Sequence, residues 1–477
     1  MIRRTTICRA AAAAGLLASL TGLAAARAGV DTAGAAGGDS LPPTAVPTPQ
    51  AGQPKTANFM SLMDAVGVGK SLDHAGIEIY GQVEGGYTYQ FFQPNDSING
   101  RNFDNLSNRP QLDQAAVNIE RFIPVAENHF NIGGRVELMY GTDVSTVTAS
   151  FQSYAVRPAV NSRGQVYPVI PADDYVINVG GNNSTYQGDV PDIYVDFGIP
   201  IGRGVRVRAG RFEFFKPLDP NERVFYSTTF VYSNVLPITN TGVTVAYDFT
   251  KDAGIEAGFS RGYNVTVSDD NGSIDFIGKG HLNMADGSVL GATTAVGPEL
   301  DHDSRNYSMV YDLTFSHPLT KTLDLLMDGV YGHQFGHTAY VPGVSSGSNS
   351  YNPFSFVSGG GYNLPDSYYG VSGNLIWRVN RFVTLAGRAE WLRDEGGLLS
   401  SEPFAGTSRS LYEATIGATV KPFPGSALGK NIKIRPEVRY DYSNRAFFGT
   451  LPTLPGTDPV YTRKDQLTFG TDVIYNF

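Results

Sequence analysis

The last thirteen residues, 465–477, constrain the fold more than any other stretch of this chain. Leu467, Phe469, Val473, Tyr475 and the terminal Phe477 share one parity, interrupted from 467 onward only by the polar Thr471. Gln466, Thr468, Gly470, Asp472 and Asn476 hold the other. A period of two is that of a strand with one apolar and one polar face. Two settings suit such a strand: a soluble β-sandwich, or a barrel whose outer face meets lipid.

The compartment helps to separate them. Residues 1–28 begin with Arg3, Arg4 and Arg9, continue through an apolar stretch from Ala10 to Ala26, and end on Ala26-Arg27-Ala28, a small-residue cleavage pattern. This reads as an export signal. Arg3-Arg4 lacks the motif that surrounds a twin-arginine pair, so an ordinary basic start is expected. Cys8, the one cysteine, lies inside this segment, and the mature chain is expected to hold no thiol, disulfide or thiolate metal site. Losing the signal removes four arginines and no acid, taking the formal charge from −9 to −13, which argues against a nucleic-acid partner. No later run approaches the roughly 18 apolar residues of a membrane helix. A bilayer-spanning form must therefore be a closed barrel, because lipid offers no partner to an open backbone edge. Aromatic residues at 12%, charged residues at 17% and 55 glycines suit an all-β chain with a lipid-facing side.

Residues 29–55 are rich in Ala, Gly, Pro and Thr and read as a flexible leader. Phe59, Leu62, Met63 and Val66 then recur at helical spacing, a short amphipathic helix within a 29–75 leader. Val66-Gly67-Val68-Gly69-Lys70-Ser71 imitates the end of a phosphate-binding loop, but Asp64 stands where the earlier glycine belongs and no strand precedes it. From residue 76 strands repeat to the terminus, giving a barrel domain over 76–477. Short turns such as 200–204, 251–254, 286–287 and 380–381 alternate with long connections at 93–111, 141–190, 215–241, 264–272, 297–306, 334–365, 394–409 and 443–464. Such alternation puts short turns at one rim and long loops at the other. The expected fold is all-β, a single transmembrane antiparallel up-and-down barrel of about sixteen strands, or fourteen if the pair in 274–296 is removed.

The strand faces sort lipid from lumen. Ile432, Ile434, Val438, Tyr440 and Tyr442 alternate with Lys433, Arg435, Glu437, Arg439 and Asp441. A basic side chain at the bilayer midplane costs roughly 2–4 kcal/mol, so this ionic face must line water. The same sorting turns Glu84, Arg135, Glu137, Arg206, Arg208, Asp324, Asp328, Arg388 and Glu390 inward. About sixteen strands leave a channel unless something fills it. Pro436 removes a ladder donor, and a bulge is expected there. The connection 215–241 carries Lys216, Asp219, Glu222 and Arg223 beside Phe225, Tyr226, Phe230 and Tyr232, and is the first candidate for a constriction, with 141–190 its rival. His333 with His337, Asp301-His302-Asp303 and Asp269-Asp270-Asn271-Gly272 are weak metal candidates. No metal and no cofactor are expected.

Several segments resemble an outer-membrane β-barrel porin family often called OmpL-like. They are Ile79-Tyr80-Gly81-Gln82-Val83-Glu84-Gly85-Gly86-Tyr87, Ala209-Gly210-Arg211-Phe212 with Thr241-Gly242-Val243, and 388–396 from Arg388-Ala389-Glu390-Trp391 onward. Arg435-Pro436-Glu437-Val438-Arg439-Tyr440-Asp441-Tyr442 and the closing strand complete the set. That closing strand is also similar to those of other outer-membrane barrels, whose assembly machinery reads the terminus, here Phe469, Val473, Tyr475 and Phe477. The resemblance implies an outer-membrane porin; no catalytic or binding position transfers with it. The expected function is passive diffusion of small hydrophilic solutes and ions through a water-filled lumen lined by mixed charges, slightly favouring cations. Arg206, Arg208, Arg435 and Arg439 form a further candidate ladder for anionic solutes. The competing readings are a barrel enzyme, for which seven scattered histidines and no nucleophile motif give little support, and an adhesin or structural anchor using the long loops. A gated receptor would need a plug domain longer than residues 29–74 supply. Expected partners are outer-membrane lipid, the barrel-assembly machinery and the solutes, and a homo-oligomer is compatible with the pattern.

Overall fold

The computed structural model describes residues 58–92, 98–123, 129–147, 157–160, 166–169, 185–215, 224–266, 272–300, 303–335, 366–396, 408–426, 428–450 and 461–477. The export segment and residues 29–57 of the leader lie outside them. Two short helices, α1 (Asn58–Ala65) and α2 (Gly69–Ala75), precede the sheet. Neither is long and apolar enough to cross a membrane.

The barrel strands are β1 (Ile77–Gln90), β2 (Pro110–Arg121), β3 (Asn131–Gly141), β4 (Gln187–Asp189 continuing in Ile193–Ile199), β5 (Val205–Glu213), β6 (Thr239–Asp248), β7 (Ala253–Ser260) and β8 (Asp275–Asn283). They continue as β9 (Val289–Leu300), β10 (Asp303–Pro318), β11 (Leu323–Gln334), β12 (Asp366–Arg378), β13 (Val383–Asp394), β14 (Arg409–Val420), β15 (Ile432–Ile434 continuing in Glu437–Ser443) and β16 (Asp465–Asn476). Each pairs antiparallel with its sequence neighbours, and β1 pairs with β16 from Gln82↔Asn476 to Gln90↔Thr468. Gly81 and Phe477 exchange two further backbone bonds of 2.9 Å at the base of this seam. The barrel is thus closed, with sixteen strands among the described residues.

Alternation along the strands does what the binary pattern requires. On β15, Val438, Tyr440 and Tyr442 are exposed outside while Arg435, Glu437, Arg439 and Asp441 are buried inside. Outward aromatic rings gather near both strand ends. Tyr89 with Phe91, Phe259 with Phe276, and Tyr369 with Trp391 stand towards the long-loop rim; Phe130 with Phe197 and Tyr247 with Phe249 stand towards the other. Two aromatic belts around an apolar band are the outer surface of a membrane barrel.

The turns are set by local chemistry. In 284–288, Gly287 takes φ 84° and Ser288 N donates to Asp286 Oδ1 at 2.9 Å. That bond holds the exposed Asp286 carboxyl below the ordinary aspartate range. Between β12 and β13, Asn380 Oδ1 accepts from Phe382 N and Val383 N at 2.8 and 3.0 Å.

Two sequence expectations fail locally. The connection expected at 297–306 is mostly sheet: Gly297 pairs with Ser308, Pro298 with Tyr307 and Leu300 with Asp303, so β9 and β10 rise past the rim of their neighbours. No bulge forms at Pro436. Ile434 opposite Val473 and Glu437 opposite Gly470 keep one register, as do Val420↔Ile434 and Gly417↔Glu437 on the other side. The proline nitrogen faces β14 and forgoes one bond there, while its carbonyl still accepts from Ala418 N at 3.0 Å. A bulge lies instead between β1 and β2 at Glu84/Gly85, where Asp113 is the extra residue and turns into the lumen.

Val438 sits exposed at the middle of β15. Val438→Arg is expected to lower the unfolding free energy in vesicles by about 2–4 kcal/mol, read by equilibrium guanidine titration. A loss below about 0.5 kcal/mol, as at an ordinary wet surface, would mean this face does not meet lipid.

Candidate functional site

From β13 round to β1 the inner wall carries interlocked ion pairs. Arg388 Nε donates to Glu413 Oε2 at 2.9 Å, Arg439 Nε to Asp441 Oδ1 at 2.7 Å, and Arg435 contacts both Glu84, at 2.6 Å, and Asp472. These arginines are almost wholly buried, and Arg388 and Arg439 each have further donors directed into the lumen.

Those donors hold a strap. The connection between β5 and β6 does not stay above the strands it joins; residues 224–231 dock on β13–β15, about halfway round the ring of sixteen. It therefore crosses the lumen. Glu437 accepts from Tyr226 N at 2.8 Å and Ser227 N at 3.2 Å, and Glu390 accepts from Phe230 N at 2.6 Å and Val231 N at 2.7 Å. Arg388 donates to Ser227 O at 2.8 Å, and Arg439 to Thr228 O. Phe225 lies under the Arg388 guanidinium and Phe230 under that of Arg439, at 4.8 and 4.9 Å. Thr229 caps the one-turn helix α3 (Phe230–Asn234) by accepting from Tyr232 N. Carboxylates thus receive backbone N–H groups and guanidinia donate to carbonyls, charge-assisted bonds worth about 1.5–3 kcal/mol each.

A second loop, 98–107, enters beside the strap. Arg101 bridges Asp104 and Asp441, both at 2.7 Å, and Asn234 Nδ2 donates to Gly100 O at 3.2 Å. Burial raises the carboxyls of the loop residues Asp104 and Asp143, opposed for Asp104 by Arg101. Burial, then the charge of Asp113, pushes the Tyr226 phenol well up, so it stays neutral and donates to Asp113 Oδ1 at 3.2 Å.

The rest of the wall differs. Arg135 meets Glu137 at 3.0 Å and Asp192 at 3.4 Å, Arg208 clamps Asp196 through two 2.8 Å bonds, and Arg206 and Lys279 share Glu256. Side chains of Arg135, Arg208 and Lys279 keep 14–20% of their surface open, against 0–1% for Arg388, Arg435 and Arg439. On β2–β12 the inward acids Glu120, Glu137, Asp196, Glu256, Asp312, Asp324 and Asp328 outnumber the bases Arg135, Arg206, Arg208, Lys279 and Arg378.

All fourteen residues expected to face the lumen stand on the inward parity, with Lys433 half-buried near the rim. Seven of them, Glu84, Arg388, Glu390, Arg435, Glu437, Arg439 and Asp441, are locked among themselves or to the strap and loop; six lie on β3, β5 and β11, and Lys433 is on β15. Arg435 and Arg439 thus do not form one solute ladder with Arg206 and Arg208. Lys216, Asp219, Glu222 and Arg223 lie outside the described residues, as do Asp301, His302, His337 and residues 269–271. His333 bonds Ser367 Oγ at 2.7 Å, and no group of three metal-binding side chains occurs among the described residues.

Sequence reading missed an apolar inner ledge. Ile277, Ala295, Val310, Val330, Leu392 and Leu411 belong to the same buried cluster as Phe214, Phe215, Phe230, Val231 and Val235 of the strap. The signal was available: these residues share the parity of Lys279, Asp312, Asp328, Glu390 and Glu413.

Glu390→Ala with Glu437→Ala leaves four strap N–H groups without acceptors, at about 1–3 kcal/mol per buried group. Chymotrypsin is expected to cut within residues 225–232 at least tenfold faster in the folded double variant than in the parent. Equal rates would mean these carboxylates do not hold the strap.

Comparison with known proteins agrees with this architecture. The family described as "Putative beta-barrel porin-2, OmpL-like" matches residues 76–477. No curated protein sequence matches the chain. Among solved structures, OprB of Pseudomonas putida is 11% identical, with a TM-score of 0.50 over 87% of this chain and 97% of its own. The outer membrane channel DcaP of Acinetobacter baumannii is 12% identical, with a TM-score of 0.47 over 84% and 97%. An anion-selective porin from Comamonas acidovorans is 9% identical, with a TM-score of 0.46 over 84% and 99%. With the family match running from the first barrel strand to the terminal phenylalanine, the chain belongs to the OmpL-like β-barrel porins and forms an outer-membrane channel for passive diffusion.

Proposed function

We propose that the channel passes small hydrophilic solutes and ions with a weak preference for cations, along the part of the lumen bounded by β2–β12. The observation that carries this reading is the division of the bore. The strap engages Arg388 and Arg439 and the 98–107 loop engages Asp441, while on the remaining wall the inward acids outnumber the inward bases. A carboxylate-lined passage raises the local concentration of cations. Glu137, Asp324 and Asp328 are the acids we assign to that wall, with Arg135, Arg206 and Arg208 as counter-charges that keep the field crossed. Arg388, Glu390, Arg435, Glu437, Arg439 and Asp441 are assigned to holding the constriction, with Glu84 as an ion-pair partner of Arg435.

The same reading takes residues 1–28 as a cleaved export signal. Phe469, Val473, Tyr475 and Phe477 are the face that the assembly machinery reads. We assign no catalysis to the bore.

Purified protein in planar bilayers tests the reading. Stepwise currents are expected, with a reversal potential across a tenfold KCl gradient corresponding to at least a twofold preference for K⁺. Glu137→Gln with Asp328→Asn is expected to move that potential towards zero. A reversal potential of the opposite sign would overturn the selectivity, and bilayers that stay silent would overturn conduction.

A further inference from the structure

The two helices before β1 sit on the outer face of the barrel, at the rim where β1 begins and β16 ends. β1 begins before β16 has finished covering it: Ile77 to Tyr80 pair with β2 alone, since the pairing with β16 ends at Gln82↔Asn476 and the Gly81–Phe477 bonds. α1 covers that bare edge. Ile79 N, which finds no strand on this side, donates to Met60 Sδ at 3.3 Å, and Met60 is buried. Arg121 Nε ties the end of α2 to β2 through Ala75 O at 2.9 Å.

The side on which α1 lies follows from two rings. Gly81 shares the outward parity of Val83 and Tyr89, and a Cβ there would come within 2.7 Å of the Phe477 ring, so that ring covers Gly81 from outside. Phe59 packs on Phe477 at 5.9 Å, and Tyr475 stacks on it at 6.3 Å. Phe59, Leu62, Met63 and Val66 fall at i, i+3, i+4 and i+7, one helix face. One end of that face is spent on Phe477; the other leaves Leu62 at 52% and Val66 at 61% exposure, with Val68 of the following turn at 45%. Ser61 and Asp64 hold the opposite face. The exposed apolar strip therefore continues the lipid-facing band of the barrel beyond the end of the strands.

We propose that α1 and α2 form an interfacial anchor whose Leu62–Val66 strip lies against phospholipid acyl chains of the periplasmic leaflet, sealing the β1–β16 seam from the lipid side. An amphipathic helix with one apolar strip and a polar back is the form that lies in the plane of a bilayer surface. The proposal needs only the membrane placement of the barrel and is independent of what the bore conducts.

Indole quenching tests it in the full mature protein. Leu62→Trp and, separately, Ser61→Trp are made in a Trp377→Phe/Trp391→Phe background and reconstituted in phosphatidylcholine vesicles with brominated acyl chains. The indole at position 62 is expected to lose at least half its emission relative to unbrominated vesicles, approaching the loss at the native Trp377, while the indole at 61 loses under a fifth. Equal, small losses at both positions would overturn the proposal. So would quenching at 62 that disappears as the protein-to-lipid ratio rises while Leu62→Cys variants cross-link to one another, because a second copy would then cover the strip. The gel shift between folded and heat-unfolded barrel verifies that each variant is folded.

Discussion

Hydrocarbon offers no partner to an N–H or a C=O, and each one left bare there costs several kcal/mol. Everything in this molecule is subordinate to that shortage. It forces the ladder of sixteen strands to bite its own tail at Gly81 and Phe477, and it tolerates the missing donor of Pro436 only because the neighbouring bonds hold the register. Once the ring is shut every strand has two fates for its side chains. The charged set has only one of them open.

Inside, the same shortage of partners recurs on a smaller scale. A guanidinium pressed into a wall with almost no exposure must be neutralised and have its donors filled, and losing one member of such a pair costs about 3–5 kcal/mol. Arg388 and Arg439 meet that demand with one carboxylate from the sheet and one carbonyl from the strap. Charges expected from the sequence to line water are thus receptors for main chain. Arginine suits the task because its planar fork serves two acceptors at once. Where the strap is absent, on β3 and β5, the pairs stay within the sheet and keep some surface open.

The sequence disclosed most of this wherever the determining interaction is local. The two faces of β15 and β16, the helix around Phe59 and Val66, and the number of strands all follow from alternation and spacing within a dozen residues. What it concealed depends on distant partners. Nothing near Tyr226 announces that its amide will meet Glu437, 211 residues on. Gly297 and Pro298 look like a loop by composition, yet a paired strand from β10 overrides their weak preference. Pro436 misled in the opposite sense: the rule that proline disturbs a ladder is sound, but flanking pairs on both sides were enough to absorb one absent bond. The apolar ledge of Ile277, Val310 and Leu392 was visible in the parity and escaped notice because an aqueous bore was taken to be polar throughout.

The strap leaves and returns near the middle of the chain, while the side chains that grip the main chain of residues 224–231, from Arg388 to Arg439, belong to the last quarter. Those grips on the strap cannot close before the late strands stand in register, so the narrowing of the bore depends on the end of the chain as well as on the loop that narrows it.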